Sequence, residues 1–162
     1  MTTGRWMDQN HVVHVGPSGQ IASFADITAG NPTTDVVNMK LYDKATFIII
    51  YGAGGTGTST ITVEACSTAL AGATQAVPFT YWICTTPDTW GEATQATLTG
   101  FLTAAAANKC YVIEVNSSEL YSTYNFVRLQ FTEVDSTAVD GAVVCILSGA
   151  RYDRGIPLTA LA

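Results

Sequence analysis

From residue 36 onward, apolar and polar residues alternate with the two-residue period that is typical of β-strands. The clearest case is YNFVRLQFTEV (124–134), and the same alternation runs through STITVEA (59–65) and KCYVIEV (109–115). Short breaks rich in Gly, Asp, Asn and Ser separate these segments, as expected of turns. The pattern predicts about eight short strands in close succession.

Two segments are more continuously apolar than the others. ATFIIIYGA (45–53) has apolar residues on both faces, which predicts a central strand buried on both sides. AVVCILSGA (142–150) predicts a final, nearly continuously apolar strand. Parallel strands need helical crossovers, and no segment indicates a long helix. We therefore predict an all-β protein, an antiparallel β-sandwich or jelly roll.

The two ends of the chain differ from its centre. Residues 1–35 are interrupted by Gly and Pro and keep no regular period beyond one short strand-like segment, HVVHV (11–15). We predict an extended N-terminal arm over 1–35, which orders by lying on another surface. The β-sandwich domain then spans 36–152, and 153–162 form a C-terminal tail.

Composition narrows the possible functions. Charged residues make up only 12% of the 162 residues, against about 25% in typical globular domains. This scarcity favours a protein that hides surface in an assembly. The net charge of −6 and the pI of about 4.6 argue against a nucleic-acid partner. No apolar run has the length of a membrane span or a signal peptide, so we expect a soluble protein made in a cytoplasm.

Gly52–Gly57 reads GAGGTG and matches the G-x-G-x-x-G pattern of dinucleotide-binding loops. In such loops a helix begins at the third glycine, and its N-terminus binds the pyrophosphate. Here TSTITVE (58–64) follows, which is rich in β-branched residues and alternates like a strand. We predict a flexible hairpin connection, uncovered at one end of the domain, and no cofactor-binding residues.

Residues with catalytic or metal-binding chemistry are isolated in the sequence. His11 and His14 are three residues apart, and in an extended chain such residues point to opposite faces. Glu64, Glu114 and Glu133 lie near strand ends, with no sign of the convergence that a glycosidase requires. We predict no catalytic residues, no metal site and no enzymatic activity.

The aromatic residues Tyr81, Trp82, Trp90 and Tyr111 allow a second interpretation. Aromatic rings in β-rich chains can form a platform on which sugars stack, although they more often belong to a core or a subunit interface. This leaves open a glycan-binding module.

Four cysteines occur, at positions 66, 84, 110 and 145, and none forms a C-x-x-C pair. Two disulfides with three alternative connectivities are therefore open. Because no signal peptide precedes them, we predict free, buried thiols.

The order of segments from VVNMKLYDKATFIIIYGA through STITVEAC, VPFTYWI, DTWGEATQAT, CYVIEV and YNFVRLQFTEV to GAVVCILSGARY resembles small structural proteins of tailed bacteriophages. The chain is similar to capsid decoration, or cement, proteins over about residues 36–152. The resemblance implies a β-sandwich on the capsid exterior of the virion, made in the host cytoplasm. Its implied partners are the major capsid protein and further copies of itself, most simply as a trimer. The alternative is a tail- or vertex-associated module that recognises a host glycan.

Overall fold

The structure, a computed structural model, describes residues 6–16, 24–105 and 108–151. These ranges contain a short helix α1 (Trp6–Gln9), a 3₁₀ turn (Ser117–Glu119) and twelve strands. The strands are β1 (Asn10–His14), β2 (Val37–Asn38), β3 (Tyr42–Gly54), β4 (Thr58–Cys66), β5 (Thr74–Val77), β6 (Phe79–Thr86), β7 (Thr89–Trp90), β8 (Thr94–Ala96), β9 (Phe101–Leu102), β10 (Cys110–Asn116), β11 (Phe126–Asp135) and β12 (Val139–Ala150). Neither helical segment of the described ranges is long and apolar enough to span a bilayer.

The strands form two antiparallel sheets. The larger has seven strands in the order β1-β12-β3-β10-β6-β7, with β8 also paired to β6. The smaller has five strands in the order β2-β11-β4-β5, with β9 also paired to β4. The sequence therefore predicted the all-β, antiparallel, sandwich-like class correctly. The described strands outnumber the predicted eight because several of them have only two to four residues.

Alternate residues of each strand fill the space between the sheets. In β11 the inward residues Val127, Leu129 and Phe131 are fully buried. In β3 the inward residues Phe47 and Ile49 are also fully buried. Burying a side chain of this size contributes about 1.5–3 kcal/mol relative to leaving it in water. The two-residue period of the sequence thus produces the core directly.

The strand β3 is central, between β12 and β10, as its composition predicts. The prediction that it is buried on both sides is wrong. Its outward residue Ile50 keeps 52% of its surface exposed, and Ile48 is only partly buried. Because no described element covers this side of the sheet, apolar strand residues remain accessible there.

The described part of the predicted arm lies on its own sandwich. Strand β1 pairs with β12 over its whole length. Farther along, the Phe24 and Ile27 amides donate to the carbonyl oxygens of Gly141 and Val139, at 2.7 and 2.9 Å, and both side chains are buried. The boundary at residue 36 stays a prediction, but one core extends across it. The predicted tail, 153–162, lies outside the described residues.

Candidate functional site: the outer face of the seven-stranded sheet

The outer faces of the two sheets differ in chemistry. On the five-stranded sheet the outward residues in the middle of β4 and β11 are polar or charged. They are Thr60, Thr62, Glu64, Arg128, Gln130 and Thr132. Apolar residues lie around them, namely Phe126 at the start of β11, the exposed Val134 near its end, and the exposed Leu102 of β9 opposite Thr60. Arg128 Nε donates to Glu64 Oε2 at 2.8 Å across the strand pair. This face has the composition expected of a surface in water.

The outer face of the seven-stranded sheet is apolar instead. The strand registers place its outward side chains in rows that cross β1, β12, β3, β10 and β6. One row contains His14, Val144, Ile48, Val112 and Trp82. The next row contains Ala142, Ile50, Cys110, Cys84 and, on β7, Trp90. A third row begins with Val12 and Ile146 and turns polar at Thr46.

We call this surface the outer apolar face. It comprises Val12, Ile48, Ile50, Trp82, Cys84, Trp90, Cys110, Val112, Ala142, Val144 and Ile146. Its eleven positions, about 4.8 Å apart between strands and about 6.8 Å apart along a strand, give a footprint on the order of 400 Å². The ion pair between Lys44 Nζ and Glu114 Oε2, at 3.0 Å, marks the end of the apolar area. The largest apolar patch of a typical monomer covers about 300–600 Å² and is often functional, and the outer apolar face falls in this range.

Sequence reasoning identified residues on this face but missed the face itself. It interpreted the continuous apolar run of β3 as burial on both sides, because such runs are usual for covered strands. The signal that could have found the face was the contrast with the middle of β4 and β11, where the outward positions are polar. β3 and β12 are apolar on both sides, and within the described residues no element covers their outer side.

The two histidines lie on opposite sides of β1, as predicted. His11 Nδ1 is 3.1 Å from the hydroxyl oxygen of Tyr42, and His14 Nδ1 accepts a hydrogen bond from the Gly16 amide at 3.2 Å. They therefore do not form a common metal site. Across the described ranges, no three side chains of His, Cys, Asp or Glu are grouped so as to hold a metal ion.

The three strand-end carboxylates have separate partners. Glu64 is paired with Arg128 and Glu114 with Lys44, while Glu133 Oε2 accepts from the Gly30 amide at 2.9 Å. Glu114 belongs to the seven-stranded sheet and the other two to the five-stranded sheet. Each carboxylate therefore acts as a local structural contact.

The four aromatic candidates separate into two pairs. Tyr111 is buried, with burial raising the pKa of its hydroxyl to about 12, and that hydroxyl accepts the Ala104 amide at 3.0 Å. Tyr81 stacks on Phe101 with ring centroids 4.0 Å apart. Trp82 and Trp90 instead belong to the outer apolar face, where Trp90 keeps 46% of its surface exposed. Only the two tryptophans are placed to meet a ligand.

The glycine loop 52–57 is a crossover between sheets. It joins β3 of the seven-stranded sheet to β4 of the five-stranded one, so the predicted hairpin is wrong. The predicted open position is correct for part of the loop, because Ala53, Gly54 and Thr56 are exposed. Gly57 is buried instead, and a Cβ built on it would clash with the Thr137 carbonyl oxygen. The Gly55 amide donates to the Ala138 carbonyl at 2.8 Å. A strand follows, as predicted, so the helix N-terminus of a dinucleotide site is missing here.

A cleft at one end of the sandwich has a volume of about 120 Å³ and contains Met39, Leu120, Tyr121 and Arg151 among its lining residues. Sites for small organic ligands usually enclose about 300–1,000 Å³. The cleft is therefore a weaker candidate than the outer apolar face.

Comparison with known proteins does not assign the chain to a family. No family model matches the chain, and no curated protein is significantly similar. The crystal structure of SPBc2 prophage-derived protein YomS is similar with a TM-score of 0.47 and 12% sequence identity. The similarity covers 86% of this chain and 93% of that chain. A similarity at this level carries no argument about function, so the functional assignment depends on the chain's own surfaces.

Proposed function

We propose that the chain is a structural protein of a tailed-bacteriophage virion, a decoration or cement protein that binds the outer surface of the major capsid shell and stabilises it. The observation that carries the proposal is the outer apolar face. The segment order described above supports the more specific assignment to capsid decoration. The function needs no catalytic residue, metal or cofactor, and the absence of enzymatic activity remains a prediction.

The size of the face indicates how such a protein would bind. At about 25 cal/mol per Å², a footprint of about 400 Å² yields at most on the order of 10 kcal/mol before costs, because Ile48, Val112 and other side chains in it are already partly buried. Association costs about 4–15 kcal/mol in lost freedom of motion. A single copy would therefore bind weakly, whereas a small oligomer that presents several faces at once would gain avidity. This supports a small oligomer, and the proposed trimer is the simplest form that we expect.

The orientation follows from the contrast between the two sheets. The outer apolar face lies against the capsid shell, and the polar face with Arg128 and Glu64 lies toward solvent. Binding to the assembled shell but not to its dissociated subunits would stabilise the shell by mass action.

A matched pair of variants tests the proposal. Ile50→Lys places a charge in the outer apolar face, and Ile50 is 52% exposed, so we expect the fold to persist. Thr132→Lys places the same charge on the exposed outer side of the other sheet. Ile50→Lys should lose binding to purified shells that lack the protein, while Thr132→Lys should bind like the wild type. Equal binding by both variants would contradict the proposal.

The number of copies per particle tests the wider assignment. Quantitative mass spectrometry of purified virions should find the chain in numbers comparable with the capsid positions. A few copies per virion would point to a tail or vertex component.

A second candidate function is a tail- or vertex-associated module that recognises a host glycan. The observation that favours it is the presence of Trp82 and Trp90 on the same exposed face. Aromatic rings of this kind stack on sugar rings. Binding on a glycan array that is lost in Trp90→Ala would support this function, and an array without binding would count against it.

A further inference from the structure

Two of the four cysteines face each other across neighbouring strands. Cys84 of β6 and Cys110 of β10 are direct partners in the antiparallel register. Their neighbours Ile83 and Tyr111 are also paired, and Tyr111 is fully buried. Both cysteines therefore point to the outer side of the sheet, where they are partly exposed, and both are free thiols.

This placement meets the geometric requirement of a disulfide. Directly opposed residues of antiparallel strands have Cα atoms about 4.5–5.5 Å apart. Disulfides need Cα separations of about 4.4–6.8 Å with both side chains on one side. The strands would not have to move apart or change register for the two sulfur atoms to bond.

The other two cysteines lack such a partner. Cys66 lies opposite Phe126 and Thr74, and Cys145 lies opposite Val13 and Phe47. Both are buried, and burial raises the pKa of the Cys66 thiol to about 11 and also raises the pKa of the Cys145 thiol. Thiolates react and thiols do not, so these two cysteines should stay reduced.

We propose that Cys84 and Cys110 form an oxidisable cross-strand dithiol, which reacts with small-molecule disulfides of the glutathione class to give an intramolecular disulfide. The proposal stands on the strand register and does not depend on the proposed function.

The reaction proceeds by two thiol–disulfide exchanges. The Cys84 thiolate attacks one sulfur of oxidised glutathione, which forms a mixed disulfide and releases one glutathione thiolate. The Cys110 thiolate then attacks the Cys84 sulfur and releases the second glutathione thiolate. The protein dithiol is oxidised by two electrons, and one glutathione disulfide is reduced to two glutathione thiols.

The order of the two steps follows from the surroundings of the sulfur atoms. Burial, and secondarily the nearby Cys84, raise the pKa of the Cys110 thiol, which makes Cys110 the less ready first nucleophile. Cys84 is closer to the sheet edge, because only the two-residue strand β7 and the three-residue strand β8 lie beyond β6. A small disulfide would therefore reach Cys84 first.

The disulfide would link β6, with which β7 and β8 pair, covalently to β10 in the interior of the sheet. It would close a loop through residues 85–109, and closing such a loop restricts the unfolded chain. The expected result is a rise in Tm of at most about 10 °C.

The test treats dilute, reduced, full-length protein with oxidised glutathione at about pH 8. The protein is then quenched in acid, alkylated in denaturant and mapped by mass spectrometry. The free thiols should fall from four to two, with a peptide link between Cys84 and Cys110 and with Cys66 and Cys145 alkylated. Four remaining thiols, a persistent glutathione adduct or a link between two chains would overturn the proposal.

Two variants distinguish the disulfide between Cys84 and Cys110 from oxidation elsewhere in the protein. In Cys110→Ser, glutathione should remain attached to Cys84, and oxidation should leave Tm unchanged. In Cys84→Ser, Cys110 should react more slowly than Cys84 does in the wild type. The same rise in Tm on oxidation of Cys110→Ser as of the wild type would overturn the proposal, whatever the mapping shows.

Discussion

The substitution Gly57→Ala tests why the loop between β3 and β4 is rich in glycine. A Cβ at this position would clash with the Thr137 carbonyl oxygen and would lie 2.7 Å from Thr28 Oγ1. The carbonyl is a backbone group, so relief requires the segment around Thr137 to move. Thr28 Oγ1 also donates to that carbonyl at 3.2 Å, so the movement would disturb a second contact.

The magnitude follows from the cost of adding one methyl group to a packed site. Overpacking typically costs about 1–3 kcal/mol, and a contact this short with backbone places Gly57→Ala toward the upper end. For a chain of this length, each kcal/mol lowers Tm by about 2–4 °C. We therefore expect a Tm lower by about 5–10 °C, measured by circular dichroism on reduced protein.

Gly52→Ala is the matched control in the same loop motif. Its Cβ would meet nothing closer than the Asp140 carbonyl oxygen, at 3.5 Å, which is ordinary contact. Its stability should stay within about 0.5 kcal/mol of the wild type. The packing argument is refuted if Gly57→Ala is as stable as the wild type, or if both variants lose the same stability. Wild-type binding of NAD or ATP would revive the dinucleotide interpretation.

Three further predictions follow from the contacts of the core and the N-terminal segment. Burial opposes ionisation of Asp26, but hydrogen bonds from Thr28, Ala29 and Val139 outweigh it and lower the pKa of its carboxyl. The ionised Asp26 carboxyl therefore stabilises the folded protein above about pH 4, and this contribution is lost as the pH falls through the lowered pKa. In urea titrations, the difference in free energy of unfolding between Asp26→Asn and the wild type should shrink in acid. Tyr51→Phe should lower the free energy of unfolding by about 1 kcal/mol in the same assay. The reason is that the buried Ser59 hydroxyl, which lies 3.1 Å from the Tyr51 hydroxyl, loses its hydrogen-bond partner. An unchanged free energy of unfolding would contradict this. Deletion of 1–35 should abolish the cooperative thermal transition, because it removes β1 and core side chains, whereas a projecting arm could be deleted without loss of folding.

The class of the fold could be predicted because it depends on local periodicity. The alternation in β4, β10 and β11 specifies strands with one inward side, and the missing helices exclude a parallel sheet. The placement of His11 and His14 on opposite sides of β1 could also be predicted, since residues three apart in an extended chain point to opposite faces.

The features that could not be predicted depend on pairing between distant residues. The crossing from one sheet to the other at 52–57 is decided by the partners of β3 and β4, and local sequence does not contain that information. The same holds for Cys84 and Cys110, which are adjacent only through the register of β6 with β10. The outer apolar face was missed because apolar runs look alike whether a second layer covers them or not.

The most direct test of the proposed function is a cryo-electron microscopy map of the intact virion. We predict density for the chain on the outside of the head, with the seven-stranded sheet and Ile50 against the capsid shell and the polar face with Arg128 toward solvent. A head shell without this density, or a bound copy with the five-stranded sheet against the shell, would contradict the proposal.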